Sequence, residues 1–414
     1  MDCRVKPGND EVLMALLTVA EALARVTQGL VPLETERVAI DQASGRVLAE
    51  DLAARLTQPP FDASSMDGYA VRAEDVAALP ATLRLVGQSA AGAGFRGSVG
   101  RGEAVRIFTG APVPEGADTI VIQENAEQAS GVVTIKEVSP TGHIRPRGQD
   151  FTEGEVLLAA GTRLGPRELM LAAAMNQPEL PVRRKPKVAI LATGDEVVPP
   201  GLELEADQIV SSVPYGLAAL IERHGGEAMS LGIAKDEKES LVTLARAGRA
   251  ADILLTIGGA SVGERDLVAS ALRSEGLELD FWKIAMRPGK PMLYGRLGSQ
   301  RVLGVPGNPI SALICAHVFL KPMLSRMLGL AEEARPAPEA ILGEALEANG
   351  EREHYMRAVS EWREDGVRIV RPLPSQDSSL VAALARADCL IVRAPHAPAL
   401  PRGARVRILP LDRG

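Results

Sequence analysis

The chain has 414 residues, 46% hydrophobic and 24% charged, with a net charge of −7, 40 glycines and 29 prolines. That length exceeds one core and implies about two to four domains. The composition excludes long disorder, and the acidic balance supplies no global attraction for nucleic acid or acidic membranes, so an anionic ligand must be held by local cations.

Cys3, Cys315 and Cys389 lie far apart and form no CxxC, which disfavours a zinc ribbon or a disulfide framework and points to a reducing, cytoplasmic compartment. The first residues lack an apolar run of signal-peptide length, and no later run reads as long enough to span a bilayer, so no membrane association is expected.

Met1 to Asn9 reads as a flexible leader. From Asp10 to Val26, Leu13, Leu16, Leu17, Ala20, Leu23 and Ala24 recur at helical spacing and predict an amphipathic helix. A short strand over Glu36 to Ile40 and a helical turn over Arg46 to Leu52 follow, and the breakers Gln58, Pro59 and Pro60 mark a boundary. Residues 58–141 carry short β-like runs (TLRLVG, AVRIF, TIVIQE, VVTIKE) and predict a small all-β module. Strand then helix returns in EVLLAAGTRLGPRELMLAAAMN, with Pro166 at the helix start, so residues 10–57 and 142–185 read as one discontinuous domain interrupted by the module.

Residues 186–330 alternate strand and helix, with helices expected at Val213 to His224, Lys238 to Arg249, Asp266 to Ser274 and Pro309 to Leu328. After the linker AEEARPAPEA, the runs HYMRAVSEW, GVRIVRPL, CLIVRAP and RVRILP make residues 337–414 a small β domain. The predicted fold class is therefore multidomain α/β plus all-β: a central α/β domain with an open, mostly parallel sheet, an inserted β module and a C-terminal β domain.

Five strand-like runs in the α/β segment each stop at a charged or glycine-containing cluster: TGDE after KVAIL, KDE after AMSLGIA, GGASVGERD after ADILLTI, RPGKP after FWKIAM and PGNP after RVLGV. In an open α/β sheet the residues that follow the strand ends converge on one crevice. Glu196, Asp236, Asp266, Lys283, Arg287 and Lys290 should therefore surround a single cleft. Acidic turns are ordinarily solvated, but carboxylates brought together without cations repel and call for a metal, and Mg²⁺ suits all-oxygen ligands and a phosphate. Asp236 and Asp266 are the expected metal ligands.

GGASVGERD leads from strand to helix, so its amides can form an anion nest, although the same residues also suit plain turning and capping by Asp266. The turn positions Gly194, Gly258, Gly259, Ser261, Gly263, Pro306, Gly307 and Asn308 are expected to meet substrate. Arg287 and Lys290 flank a Pro–Gly turn that brings both toward one anion, and Ser311 sits in the first turn of the helix after PGNP. In the inserted module, FDASSMDGYAVR and FTGAPVP look loop-like and shaped for contact, with Asp67 and Thr109 singled out. His143, His224, His317, His354 and His396 show no metal-ligand spacing, and His317 reads as a core residue.

In this order, FDASSMDGYAVR, FTGAPVP, TGDE, GGASVGERD, RPGKP and PGNP closely resemble the molybdopterin molybdenumtransferases of molybdenum cofactor biosynthesis, across nearly the whole chain. The resemblance implies an enzyme that inserts molybdate into adenylylated molybdopterin, with Mg²⁺-dependent release of AMP and molybdenum cofactor. It also implies an elongated homodimer whose active site lies between subunits, the inserted module of one chain facing the α/β domain of the other, and exchange with other proteins of the same biosynthesis.

By motif, the family's active-site positions fall on Asp67, Thr109, Asp150, Glu196, Asp236, Asp266, Lys283 and Arg287. The molybdate pocket falls on Arg287, Lys290, Ser311, Arg357 and Ser378. Arg287 stands where many relatives have lysine, and RGQD replaces the more usual RGED. Two alternatives share the α/β fold: a molybdopterin adenylyltransferase, and a non-catalytic scaffold.

Overall fold

The computed structural model describes residues 16–258, 267–330 and 338–411. The chain forms two compact units, one over Glu36–Val182 and the other made from the chain on either side of it.

Of the helix expected from Asp10 to Val26, residues 10–15 lie outside the described residues, and the described part forms α1 (Val19–Thr27). Thr18 caps it: the Thr18 N–H and hydroxyl donate to the Glu21 carboxylate, and the Glu21 N–H donates back to the Thr18 hydroxyl. Such a reciprocal cap satisfies two amide donors that a helix start leaves orphaned. Leu17, expected inside the helix, instead bridges to Ile284 in a strand-like contact. Arg46 to Leu52 does not form the expected helical turn; Val47 and Leu48 make isolated bridges to Arg163 and Val182, because long-range pairing satisfies their backbone.

In the Glu36–Val182 unit, six strands, β1 (Gly68–Val71), β2 (Ala81–Ser89), β3 (Glu103–Ile107), β4 (Thr119–Ile122), β5 (Ala126–Ala129) and β6 (Val132–Ile135), form a curled sheet in the order β4-β1-β3-β2-β6-β5. Four of these are the runs anticipated from sequence. β1 is not: GYAV was read as loop, yet it is a central strand with all four residues buried. Burial on both faces removes the alternation that marks a half-exposed strand. Gly68 is required there, since a Cβ would stand 1.9 Å from the Val121 carbonyl oxygen. Further along, α2 (Pro166–Ala174) starts at the expected proline.

In the other unit, β7 (Lys187–Thr193), β8 (Glu227–Ala234), β9 (Ile253–Ile257), β10 (Glu278–Trp282), β11 (Leu293–Leu297) and β12 (Gln300–Val305) form one sheet in the order β8-β7-β9-β12-β11-β10. β7, β8, β9 and β12 are parallel, and β11 is antiparallel to both β12 and β10. Two reversals restore the original direction, so β10 also ends at the edge where the four parallel strands end. The run FWKIAM splits: β10 stops at Trp282, Lys283 takes φ +80°, and Met286–Arg287 pairs with a strand of the C-terminal domain.

Helices cover both faces of this sheet, as the nearly continuous apolar strands require. One face packs α1, α3 (Val213–Arg223) and a continuous helical run over Pro309–Met327, through Leu217, Ile221, Phe319 and Met323 against Ile190, Leu255 and Leu303. The other packs α4 (Lys238–Ala247) and α5 (Leu267–Ser274) through Leu241, Ala245, Val268 and Leu272. Each fully buried Leu, Ile or Phe contributes about 1.5–3 kcal/mol. The run Pro309–Met327, at 19 residues, is long and apolar enough to cross a membrane by length and composition alone, contrary to the reading of the bare sequence. Its apolar window is 72% buried inside the protein, as in a core helix.

The C-terminal strands β13 (Glu339–Leu342), β14 (Glu353–Trp362), β15 (Arg368–Pro372), β16 (Cys389–Arg393) and β17 (Arg405–Pro410) pair in the circuit β14-β15-β13-β17-β16-β14 and close a small barrel. Four of them lie on the runs expected to be strands. Tyr355, Leu390 and Val392 of the barrel pack in the same cluster as the α/β core.

Candidate active site

The strand ends do converge. A cavity of about 1000 Å³ opens at the carboxyl edge of the parallel strands, lined by Gly194, Glu196, Asp236, Gly258, Pro306, Gly307 and Asn308 among others. Gly194, at φ +131°, lies under the Glu196 carboxylate: a Cβ there would sit 2.7 Å from one of its oxygens. That glycine lets the acid fold back over its own turn.

Asp236 receives no cation within 4 Å among the described residues. Burial, then the nearby Asp195 and Glu196 carboxylates, push its carboxyl above the usual range, while its N–H donates to Asp195 Oδ1 at 3.1 Å. Apolar groups, including Val197, Ile209, Val210 and Val381, line the rest of this cavity.

A second cavity of about 400 Å³ is lined by Arg287, Lys290, Ser311 and Ser378, four of the five residues expected to hold an oxyanion. Pro291, Pro306 and Asn308 line both cavities. Arg352, Gln376 and Asp377 also line the smaller one. Nothing in the sequence distinguished them from solvated turn residues. Asn308 Nδ2 donates to Ser378 Oγ at 3.1 Å, and the Ile310 N–H to the Ser378 carbonyl at 3.3 Å, so the PGNP turn fixes the serine of the barrel domain.

Arg357, the fifth, is 1% exposed and does not line the cavity. Its guanidinium donates to the carbonyls of Asp377 at 2.8 Å and Ser375 at 2.9 Å, while the Gln376 side chain accepts from the Arg357 N–H and donates to its carbonyl. Arg357 thus holds the loop that presents Ser378. His354 is buried beside this cluster; burial first, then Arg287, Arg352, Arg357 and Arg393, lower its pKa to about 4. It is neutral at pH 7 and adds no charge.

Lys283 lines neither cavity; its ammonium lies 5.4 Å from the centroid of the Trp282 ring. Gly259, Ser261, Gly263 and Asp266 lie outside the described residues. Among the described residues, no three His, Cys, Asp or Glu side chains are grouped to hold a metal.

In the Glu36–Val182 unit, Asp67 and Thr109 meet where β1 begins and β3 has ended, since Gly68 pairs with Ile107. The Thr109 N–H and hydroxyl each donate to Asp67 Oδ1 at 2.7 Å, and these two bonds, with Arg106 behind them, hold the carboxyl below its ordinary range. Arg106, which the sequence did not single out, stacks over Tyr69 and Phe108 at 4.9 and 5.1 Å. Asp150 lines a separate cavity of the same unit.

Three family models account for most of the chain: "MoeA N-terminal region (domain I and II)" over residues 17–176, "Probable molybdopterin binding domain" over 189–326 and "MoeA C-terminal region (domain IV)" over 339–411. A crystal structure of a molybdopterin biosynthesis MoeA protein from Pyrococcus horikoshii is 32% identical, covers 95% of this chain and 98% of its own, and superimposes with a TM-score of 0.81. The fold is thus that of the MoeA class.

The molybdopterin molybdenumtransferase of Haemophilus influenzae is 34% identical over 402 residues, 96% of this chain and 99% of that one. The Bacillus subtilis protein of the same name is 33% identical over 399 residues, covering 94% and 91%. The chain belongs to the molybdopterin molybdenumtransferase family, enzymes of molybdenum cofactor biosynthesis.

Proposed function

We propose that this enzyme inserts molybdate into adenylylated molybdopterin and releases AMP and molybdenum cofactor, in a Mg²⁺-dependent step. The observation that carries this reading is the pair of adjoining cavities of opposite character. The smaller, with Arg287, Lys290 and Arg352, suits a small oxyanion; the larger, with glycine turns, carboxylates and an apolar wall, suits a bulkier ligand carrying phosphate.

Asp236, raised by burial and then by the Asp195 and Glu196 carboxylates, carries charge that a divalent cation would offset, and a full ligand set needs groups beyond these three. Asp236 together with Asp266 would hold Mg²⁺, which when bound offsets the phosphate charge of the substrate. Arg287, Lys290 and Arg352 draw the oxyanion in by charge, and Ser311 and Ser378 donate to its oxygens. Glycines at Gly258 and Gly307 let backbone amides approach the ligand closely.

The active unit in this reading is a homodimer in which Asp67 and Thr109 of one chain complete the cleft of the other. Its supports are the family resemblance and the preorganised, ionised Asp67 carboxylate.

Incubation with adenylylated molybdopterin, molybdate and Mg²⁺ should release AMP only when molybdate is present. Pyrophosphate released from ATP would instead identify an adenylyltransferase. Neither product would leave a scaffold.

A further inference from the structure

Behind the Asp67–Thr109 pair stands a cation with no acid of its own. Arg106, on β3, lies opposite Tyr69 of β1 in the sheet register. Its guanidinium carbon is 4.9 Å from the centroid of the Tyr69 ring and 5.1 Å from that of Phe108, so the charge is held between two aromatic rings. The Tyr69 hydroxyl, 3.0 Å from Gln128 Oε1, fixes the first of those rings. Among the described residues Arg106 has no ion-pair partner; it donates to the Gly68 carbonyl at 3.3 Å and to Gln123 Oε1 at 2.6 Å.

Both acceptors sit next to Asp67. Gly68 follows it in the chain, and the Gln123 N–H donates to the Asp67 carbonyl at 3.0 Å. One guanidinium thus ties together the peptide after Asp67 and the residue that holds its carbonyl. At the side chain, Thr109 spends both its donors on Oδ1, and Oδ2 has no partner among the described residues. A carboxylate fixed at backbone and at one oxygen offers the other oxygen in one direction. Its charge is favoured first by the Thr109 amide and hydroxyl and, beyond them, by Arg106. A methionine would fill the gap between the two rings as well as Arg106 does; what it would lack is the charge and the two donors.

We propose that Arg106 is a positioning residue for the reaction: clamped between Tyr69 and Phe108, it fixes the Asp67 backbone so that Oδ2 is the oxygen offered to the ligand, an inference that rests on the reading in which Asp67 completes the substrate cleft. Arg106 itself does not touch the substrate. It acts through Asp67, and its planar fork reaches the Gly68 carbonyl and the Gln123 side chain at once, which a point charge cannot do.

The test compares Arg106→Met, Arg106→Lys and Asp67→Ala in the full-length chain, by molybdate-dependent AMP release and by carboxyl-carbon NMR of Asp67. Arg106→Met should lower kcat by about tenfold, the low end for a hydrogen bond made by a charged group, and leave the KM for molybdate within about twofold. The residues that line the oxyanion cavity belong to the other unit, so a change at Arg106 leaves them untouched. In Arg106→Met, Asp67 should titrate higher than in the wild type, because its ionised form loses a favourable charge. Arg106→Lys restores the charge without the fork and should bring back the Asp67 midpoint more fully than kcat. Gln123→Ala serves where Arg106→Met does not fold: the charge stays, the guanidinium loses an acceptor, and kcat should fall while the molybdate KM holds.

A lower melting temperature in Arg106→Met with an unmoved Asp67 midpoint and an unmoved kcat would make Arg106 a strut of the fold and overturn the proposal. So would a wild-type kcat in Gln123→Ala. When Asp67→Ala is inactive in the same assay, such a result sinks the Arg106 assignment alone. Full AMP release by Asp67→Ala instead removes Asp67 from the cleft, and the proposal falls together with the reading it rests on.

Discussion

Thr109 donates both its backbone N–H and its hydroxyl to a single oxygen of Asp67, each at 2.7 Å, across 42 residues of sequence. The carboxylate is oriented by a turn that can hardly move without breaking two charge-assisted bonds. Thr109→Val removes the hydroxyl and keeps the amide, so Asp67 should titrate higher than in the wild type, read by carboxyl-carbon NMR. Because the folded carboxyl is held low, its contribution to stability is fully present above the unfolded value of about 3.9 and is lost as pH falls through the folded one. The variant should lose less stability over that acid range. An unchanged midpoint would contradict the assignment.

Asp236 shows the opposite shift. Its raised carboxyl costs stability when ionised, a penalty present above its folded pKa and relieved as pH falls through it. Asp236→Asn should therefore melt slightly higher at pH 7, by at most about 1 kcal/mol for so exposed a group, and the difference should vanish in acid. Millimolar Mg²⁺ should raise the wild-type melting temperature and leave the variant unmoved. A variant stabilised as much as the wild type would remove Asp236 from the metal site.

Arg287→Ala and Arg352→Ala should each raise the KM for molybdate by about tenfold, the low end for a charged hydrogen bond, and change adenylate binding less. Rising salt should reproduce part of the loss by screening the charge. Equal losses for both ligands would assign these cations to the substrate phosphate.

Loss of Arg357 deprives the Ser375 and Asp377 carbonyls of their donors. Arg357→Met should destabilise the protein by about 2–4 kcal/mol and raise the molybdate KM, with only partial recovery in Arg357→Lys, whose point charge cannot fork to two carbonyls. A wild-type melting curve for Arg357→Met would show that the loop does not depend on it.

Homodimers of Asp67→Ala and of Asp236→Ala should both be inactive, and mixed dimers formed by subunit exchange should recover up to about half of wild-type activity per mixed dimer, because one shared cleft keeps both residues. Exchange without recovery would place the two residues in an intrachain site.

Much of this cleft could be read from sequence because strand ends announce themselves locally: apolar runs stop at TGDE, KDE, RPGKP and PGNP, and sheet topology carries those turns to one edge. What escaped depended on distant partners. GYAV looks like loop until neighbours on both sides bury it, and β11 pairs against the direction of the parallel strands. Arg352 and Gln376 become pocket residues only once the closed barrel brings their turns beside Arg287. Arg357, implied as an anion ligand, sits instead behind the loop it anchors, a distinction that side-chain geometry makes and motif matching does not.

The three residues common to both cavities include two prolines, Pro291 and Pro306, which have no amide hydrogen to offer. Neither position can donate a backbone hydrogen bond to an oxyanion. Asn308 is the remaining member, and its side-chain amide already reaches Ser378 on the barrel side. Of the three shared residues, Asn308 is therefore the one whose side chain carries a hydrogen-bond donor. The seam between the two cavities is thus rigid on the proline side and tied to the barrel domain on the other, so a change at Asn308 reaches the lining of both at once.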